Sequence, residues 1–287
     1  MRLRHGLALA FAALAAAGCG SAEPVTSIAP TPTPTVTPAP PEPDGELPRD
    51  AAGLAAALRD VGPRLRAAAR AWDGRGRTPR DLELLALYVQ RAELRLADRP
   101  ALARRVLPRL SRRLAADLRD GIRAERDLAR LSRGWPLKRR HRTGRPQPAA
   151  RLLRHYRAAH RRFRVSVTLL AAVNLIESQF GRLRNESVSG AQGPMQFMPA
   201  TWDAYGMGGD VHDPRDAILG AANYLRASGA PRDEPRALFH YNPSRLYVRA
   251  VLRQARRMRR DFAAFHELYA RQVFVRAPGG RRRITGP

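Results

Sequence analysis

Glu177 is the residue from which chemistry could start. It follows Val167-Thr168-Leu169-Leu170-Ala171-Ala172-Val173-Asn174-Leu175-Ile176, an almost wholly apolar run that predicts a buried helix. A carboxylate at the end of such a helix is costly unless it is paired or keeps its proton. This segment alone leaves two readings open. Either an arginine such as Arg182 or Arg184 holds the glutamate in the core, or apolar neighbours raise its pKa and make it a general acid. Gly181 is placed to stop the helix.

The next stretch bears on that choice. Ser189-Gly190-Ala191-Gln192-Gly193-Pro194-Met195-Gln196-Phe197-Met198-Pro199-Ala200-Thr201-Trp202 begins as poor helix and poor strand and restarts as helix at Pro199. Its small residues let backbone approach a ligand closely. Gln196 can donate and accept, as sugar recognition requires, while Met195, Phe197 and Met198 supply apolar surface. The pattern Glu177-Ser178, then Ser-x-Ala-x-Gly-x-Met-Gln-x-Met-Pro-x-Thr, resembles the soluble lytic transglycosylase catalytic domain of the goose-lysozyme-like superfamily. Asp213-Pro214, Ile218 with Gly220, Tyr224-Leu225, and Tyr241-Asn242 followed by Tyr247 carry the resemblance across roughly residues 150–255. It is similar above all to actinobacterial wall transglycosylases, in which Tyr-Asn-x-Ser is a familiar variant.

The resemblance implies an all-α, lysozyme-like catalytic domain acting on peptidoglycan without a cofactor or metal. Glu177 would protonate the glycosidic oxygen between N-acetylmuramic acid and N-acetylglucosamine. The carboxylate would then act as base on the muramoyl 6-hydroxyl, leaving a 1,6-anhydromuramoyl end. Ordinary glycosidases use two carboxyls about 5–10 Å apart; here Glu186 reads as surface. By resemblance, Gln196, Met198, Tyr241 and Asn242 line the glycan groove, with Ser178 and Ser189 as supporting hydrogen-bond groups. Tyr241 has the face and hydroxyl to orient Glu177 or stack on a sugar; a core tyrosine is the alternative. The family's Ala-Tyr-Asn-x-Gly is here His240-Tyr241-Asn242-Pro243-Ser244, which adds a titratable ring and a stiffer turn. A hydrolysing muramidase of the same fold and a non-catalytic wall-glycan-binding protein are the competing expectations.

Helical patterning begins at Asp50. Thr78-Pro79-Arg80-Asp81 predicts an N-cap, a proline at N1 and an early acid, ahead of Leu82, Leu85, Tyr88 or Val89, and Ala92. Leu102, Val106, Leu110, Leu114, Leu118 and Ile122 recur at intervals of four, predicting one helix kinked at Pro108 and weakened at Gly121. Lys138 to Arg142, with Gly144, Pro146 and Pro148, reads as a basic interdomain loop before a helix restarts near Ala149. His155 and His160 do not share a face well enough to chelate a metal. Asp210, His212 and Asp213 match no calcium loop, and capping of a helix at Pro214 is the better reading.

The N-terminus sets the compartment. Residues 1–19 join Arg2 and Arg4 to a short apolar run and end at Cys19, as in an exported protein with a lipobox-like acylation site. The run is shorter than the roughly 20 residues that span a bilayer. With Cys19 the only cysteine, disulfide frameworks and cysteine zinc sites are excluded. Residues 20–49 form a Pro/Thr-rich linker that cannot build a core. Residues 50–148 are then a helical region with the basic loop, 149–270 the catalytic domain and 271–287 a basic tail. The 52 Lys+Arg against 25 Asp+Glu, net +27, call for an anionic environment. Given export, that means lipid head groups or wall polymers, and not nucleic acid.

Overall fold

The computed structural model describes residues 38–133 and 140–286. The leader with Cys19, the linker up to residue 37, and Lys138 with Arg139 lie outside the described residues. Residues 39–287 form one compact unit. Its elements are α1 (Ala51–Ala71), α2 (Arg80–Asp98), α3 (Pro100–Val106), α4 (Arg112–Leu131), α5 (Ala149–Phe163) and α6 (Val167–Ser178). There follow α7 (Pro199–Tyr205), α8 (Pro214–Ala227), α9 (Glu234–Tyr241), α10 (Arg245–Arg260) and α11 (Ala263–Tyr269). An antiparallel hairpin, β1 (Phe274–Ala277) with β2 (Gly280–Arg283), ends the chain's regular structure. The fold is all-α in its architecture, as expected.

Side-chain caps mark many of the helix starts. Asp50 accepts from the amides of Ala52 and Gly53, Ser111 from Leu114, Ser166 from Leu169, and Asp213 from Arg215 and Asp216. At α2 the expectation shifts by one residue. Pro79 occupies the N-cap and gives no side-chain bond, so Asp81 and Glu83 in the first turn are left to complement the helix dipole. The stripe from Leu102 to Ile122 is buried throughout but is not one kinked helix. α3 tightens into a 3-10 turn at Leu107–Arg109, Leu110 is extended, and Ser111 caps a new helix. Pro108 lacks the amide that a continuous helix needs, and the serine after it makes breaking cheaper than bending.

Gly121 is not a weak point. A Cβ there would sit 2.2 Å from the Glu93 carboxyl carbon, so the missing side chain is the space that the carboxylate fills. Glu93, on α2, is completely buried and accepts from both guanidinium nitrogens of Arg271 at 2.7 and 2.8 Å and from Arg257 at 3.2 Å. Burial alone would raise its pKa, yet Arg271 and Arg257 outweigh burial and hold it below the usual carboxylate range. Beside it runs an ionic seam between α4 and α10. Asp117 and Asp120 receive Arg260 at 2.7 Å each, and Asp127 receives Arg249 and Arg253. Arg66 of α1 adds a bond to Asp117 at 2.8 Å.

Two segments expected to be peripheral join this body. Linker residues 43–49 lie along α2, where Arg91 donates to the carbonyls of Pro43 and Gly45 and Arg95 to those of Leu47, Pro48 and Arg49. Proline-rich backbone leaves its carbonyls unpaired, and two arginines satisfy them. The segment after residue 271 is no loose tail either. Gln272 exchanges two hydrogen bonds with Gln90, and the hairpin's Arg281 and Arg283 pair with Asp98 and Asp44.

Candidate active site

Helix α6 is capped by Ser166, and Leu169 to Leu175 are buried without a break. Asn174 is the polar residue inside that run, and its burial obliges it to find partners. Tyr156 of α5 donates to its Oδ1 at 2.6 Å, and its Nδ2 donates to the Pro194 carbonyl at 2.8 Å. Ser178, also buried, donates to the same carbonyl at 2.5 Å and accepts from the Gly181 amide at 2.8 Å. The helix is thereby stitched to the loop that crosses its end.

The stop falls two residues ahead of Gly181. Gln179 and Phe180 already adopt left-handed backbone at φ 53° and 62°, and Gly181 follows at 82°. Left-handed non-glycine residues cost of the order of 1 kcal/mol or more each. Burial of the Phe180 ring, edge-on to Phe265 at 5.5 Å, offsets that cost. The crossing loop is equally constrained. Gln192 and Phe197 exchange backbone hydrogen bonds around a tight turn, and a Cβ on Gly193 would sit 1.9 Å from the Val211 carbonyl oxygen. Only glycine fits there.

Glu177 sits half-buried on the last turn of α6. No arginine holds it. Arg182 donates to the carbonyls of Tyr269 and Gln179 and stacks on the Tyr269 ring at 4.7 Å, while Arg184 reaches the Arg145 carbonyl. The partner is Tyr247 of α10, whose hydroxyl donates to Glu177 Oε1 at 2.5 Å. Burial pushes the carboxyl up to about 7, and the Tyr247 hydrogen bond pulls the other way. Burial, followed by the field of Glu177, lifts the Tyr241 and Tyr247 phenols well above their ordinary range, so both stay neutral. A group that half-titrates near neutrality can give up a proton and take one back.

Tyr241, read as orienting Glu177 or stacking on a sugar, donates its hydroxyl to the Met195 carbonyl at 2.7 Å and so fixes the crossing loop. Its ring continues an aromatic row: Tyr205 to Tyr224 at 4.7 Å, Tyr224 to Tyr241 at 5.6 Å, Tyr241 to Phe197 at 5.8 Å. An open depression of about 600 Å³ beside this row is bordered by Tyr205, Tyr224, Thr201, Arg236 and His240. Ring faces of this kind can carry sugar rings. Gln196, at φ 52°, commits its amide nitrogen to the Gly193 and Asn185 carbonyls, which leaves its Oε1 for a ligand. Ser189 and Met198 are exposed, and Asn242 is half-buried just beyond α9. Ser244 has extended backbone and accepts from the Leu246 amide, so it caps α10 with a side-chain bond that glycine lacks. Glu186 is exposed, as expected. Asp213 caps α8 and Asp210 accepts from the His212 amide; among the described residues no group of acids, histidines or cysteines is arranged to hold a metal.

Tyr247 and Asn174 are the site residues whose roles the sequence did not reveal. Tyr247 begins the buried face Tyr247, Val251, Ala255, Met258 of α10, so an aromatic hydroxyl heading an apolar stripe was the available signal.

The site thus joins a raised-pKa glutamate at the end of a buried helix to a constrained loop and a nearby aromatic row in an all-α body. Residues 154–261 match the transglycosylase SLT domain family, so this segment is an SLT domain of the lysozyme-like superfamily. That domain supports a peptidoglycan-acting function of the lytic transglycosylase type. No curated protein and no solved structure matches the chain.

Proposed function

We propose that the protein is a peptidoglycan lytic transglycosylase that cleaves the β-1,4 bond between N-acetylmuramic acid and N-acetylglucosamine. The observation that carries this reading is the environment of Glu177: burial raises it to about 7, a tyrosine hydroxyl is its partner, and no second carboxylate or cation contributes to its shift. Since Tyr247 donates to Oε1, the transferable proton resides on Oε2. Oε2 gives that proton to the glycosidic oxygen as the bond to the muramoyl anomeric carbon breaks. The carboxylate, steadied by Tyr247, then takes the proton of the muramoyl 6-hydroxyl as that oxygen bonds to the anomeric carbon. Glu177 ends protonated again, and no water is consumed. Gln196 Oε1, Met198, Asn242 and the Tyr241 row line the groove that holds the glycan, while Ser178 supports it by fixing the loop and Ser189 lies exposed beyond Glu177. Purified protein acting on isolated sacculi should release muropeptides with anhydro ends by mass spectrometry. Reducing ends would instead identify a hydrolysing muramidase.

Tyr247→Phe isolates the hydroxyl's share. The hydrogen bond favours the charged carboxylate, so its loss raises the Glu177 pKa and moves the alkaline limb of the pH–rate profile upward. The turnover number should fall about tenfold or more, since general acid–base groups contribute ~10²–10⁴. An unmoved alkaline limb would show that the hydroxyl does not tune Glu177.

We further propose that this activity lies outside the cytoplasm on a lipid anchor, a reading supported by the leader-like run, Cys19 and the proline-rich segment as tether. Among the described residues no helix is long and apolar enough to cross a membrane. Globomycin-sensitive processing in the native host, lost in Cys19→Ala, tests the anchor.

A further inference from the structure

Ion pairing divides the arginines into two populations. Arg66 and Arg70 of α1, Arg257 and Arg260 of α10, and Arg271 pair with carboxylates of α2, α4 and the segment after α10. Those of α5 do not. Arg151, Arg154, Arg157 and Arg161 recur at three- and four-residue spacing, which places them on one helix face. All four are exposed, and none forms an ion pair among the described residues. Like charges at these spacings oppose the helix, so this face is unfavourable until something anionic covers it. At 1.5 Å per residue the stripe is about 15 Å long.

Three depressions extend the stripe. One of about 490 Å³ lies at its N-terminal end among Arg151, Arg154 and Arg215. It shares Gln147 with a pocket of about 210 Å³ beside Arg145 and Arg184. That pocket shares Arg145 and Pro146 with a groove of about 1070 Å³ that takes in Arg77, Arg80 and Arg182. Together their linings hold eight arginines against three carboxylates, so the whole length is cationic. They share no residue with the depression beside Tyr224, and the smallest of the three touches the crossing loop at Gly193 and Pro194.

We propose that this track binds a second ligand, a linear polyanion of the polyol-phosphate kind with one phosphodiester per repeat, laid from Arg77 past Arg145 to Arg161. Guanidinium forks pair bidentately with phosphate oxygens, and every cation on the track is an arginine. Linked grooves admit a thin chain, whereas a bilayer presents a flat face. The length of the track calls for many charges on one molecule, which a single anion cannot supply.

Fluorescence anisotropy of a labelled glycerol-phosphate oligomer with the full chain tests the proposal. The triple variant R151Q/R154Q/R157Q should weaken binding about tenfold or more and reduce the slope of log affinity against log salt by about two. The charge-matched triple R104Q/R105Q/R123Q, on exposed arginines of α3 and α4, should change affinity less than about twofold. Equal losses in both triples would reduce the effect to net charge and overturn the assignment. Equal competition by polyglutamate, or tighter capture by phosphatidylglycerol vesicles than by the oligomer, would overturn it as well. Cleavage of sacculi lacking attached polymers should be the same in both triples, so this result and the Glu177 chemistry fail independently.

Discussion

Glu177→Gln should lower glycan cleavage by about 10³-fold or more, because in the proposed mechanism one side chain supplies both the acid and the base. The same change should make the folded protein more stable at neutral pH. Glu177 is raised from 4.5 to about 7 on folding, so between those values the native state binds a proton that the unfolded chain releases. The stability this contributes is complete below pH 4.5 and is lost as pH rises through 7. At pH 7 the wild type therefore carries a penalty; since the carboxyl is only half-buried, about 1–3 kcal/mol is the fitting scale. The amide has no such penalty. Urea unfolding at pH 7 and at pH 4 checks both parts: the variant should be more stable at the first and level with the wild type at the second. A folded Gln variant that still cleaves sacculi would remove Glu177 from the mechanism.

Glu93→Ala should have the largest effect on stability, about 3–5 kcal/mol, because it leaves Arg257 and Arg271 buried without a counter-charge. The sign of its pH dependence is opposite to that of Glu177. Glu93 is held below the usual range, so the stability it brings is present above its unfolded pKa and disappears as pH falls through the folded one. Acid unfolding of the wild type should therefore converge on the alanine variant at low pH. Parallel curves at every pH would mean that Glu93 is not charged in the fold. Two glutamates at the ends of buried chemistry thus diverge because one meets two guanidiniums and the other a phenol.

What could be read from the sequence was local. The apolar run before Glu177, the capping of α8 at Asp213, and the small residues of the loop from Ser189 act through neighbours a few positions away. Partnerships between distant segments were not legible. Tyr247 lies seventy residues beyond Glu177, and its neighbour Tyr241 carried the same hydroxyl and stood closer to the motif. Glu93 reads as one more acid on an amphipathic helix until the fold brings Arg257 and Arg271 to it. Pro108 announces a disturbance but not its size; the break depends on Ser111 taking up the next amide. An arginine-rich composition hides which cations are paired, since solvated and buried guanidiniums look alike in a string of letters.

Helix α10 answers to two masters. One face brings Tyr247 to Glu177, and the other rests its arginines on Asp117, Asp120 and Asp127, which lie outside the family-matched segment. The family-matched segment is consequently not a portable cassette. Cut free at residue 149, it would expose a cationic helix stripped of its counter-ions and release the very element that aims the tyrosine. A graft or hybrid that keeps the chemistry must carry the upstream helices with it.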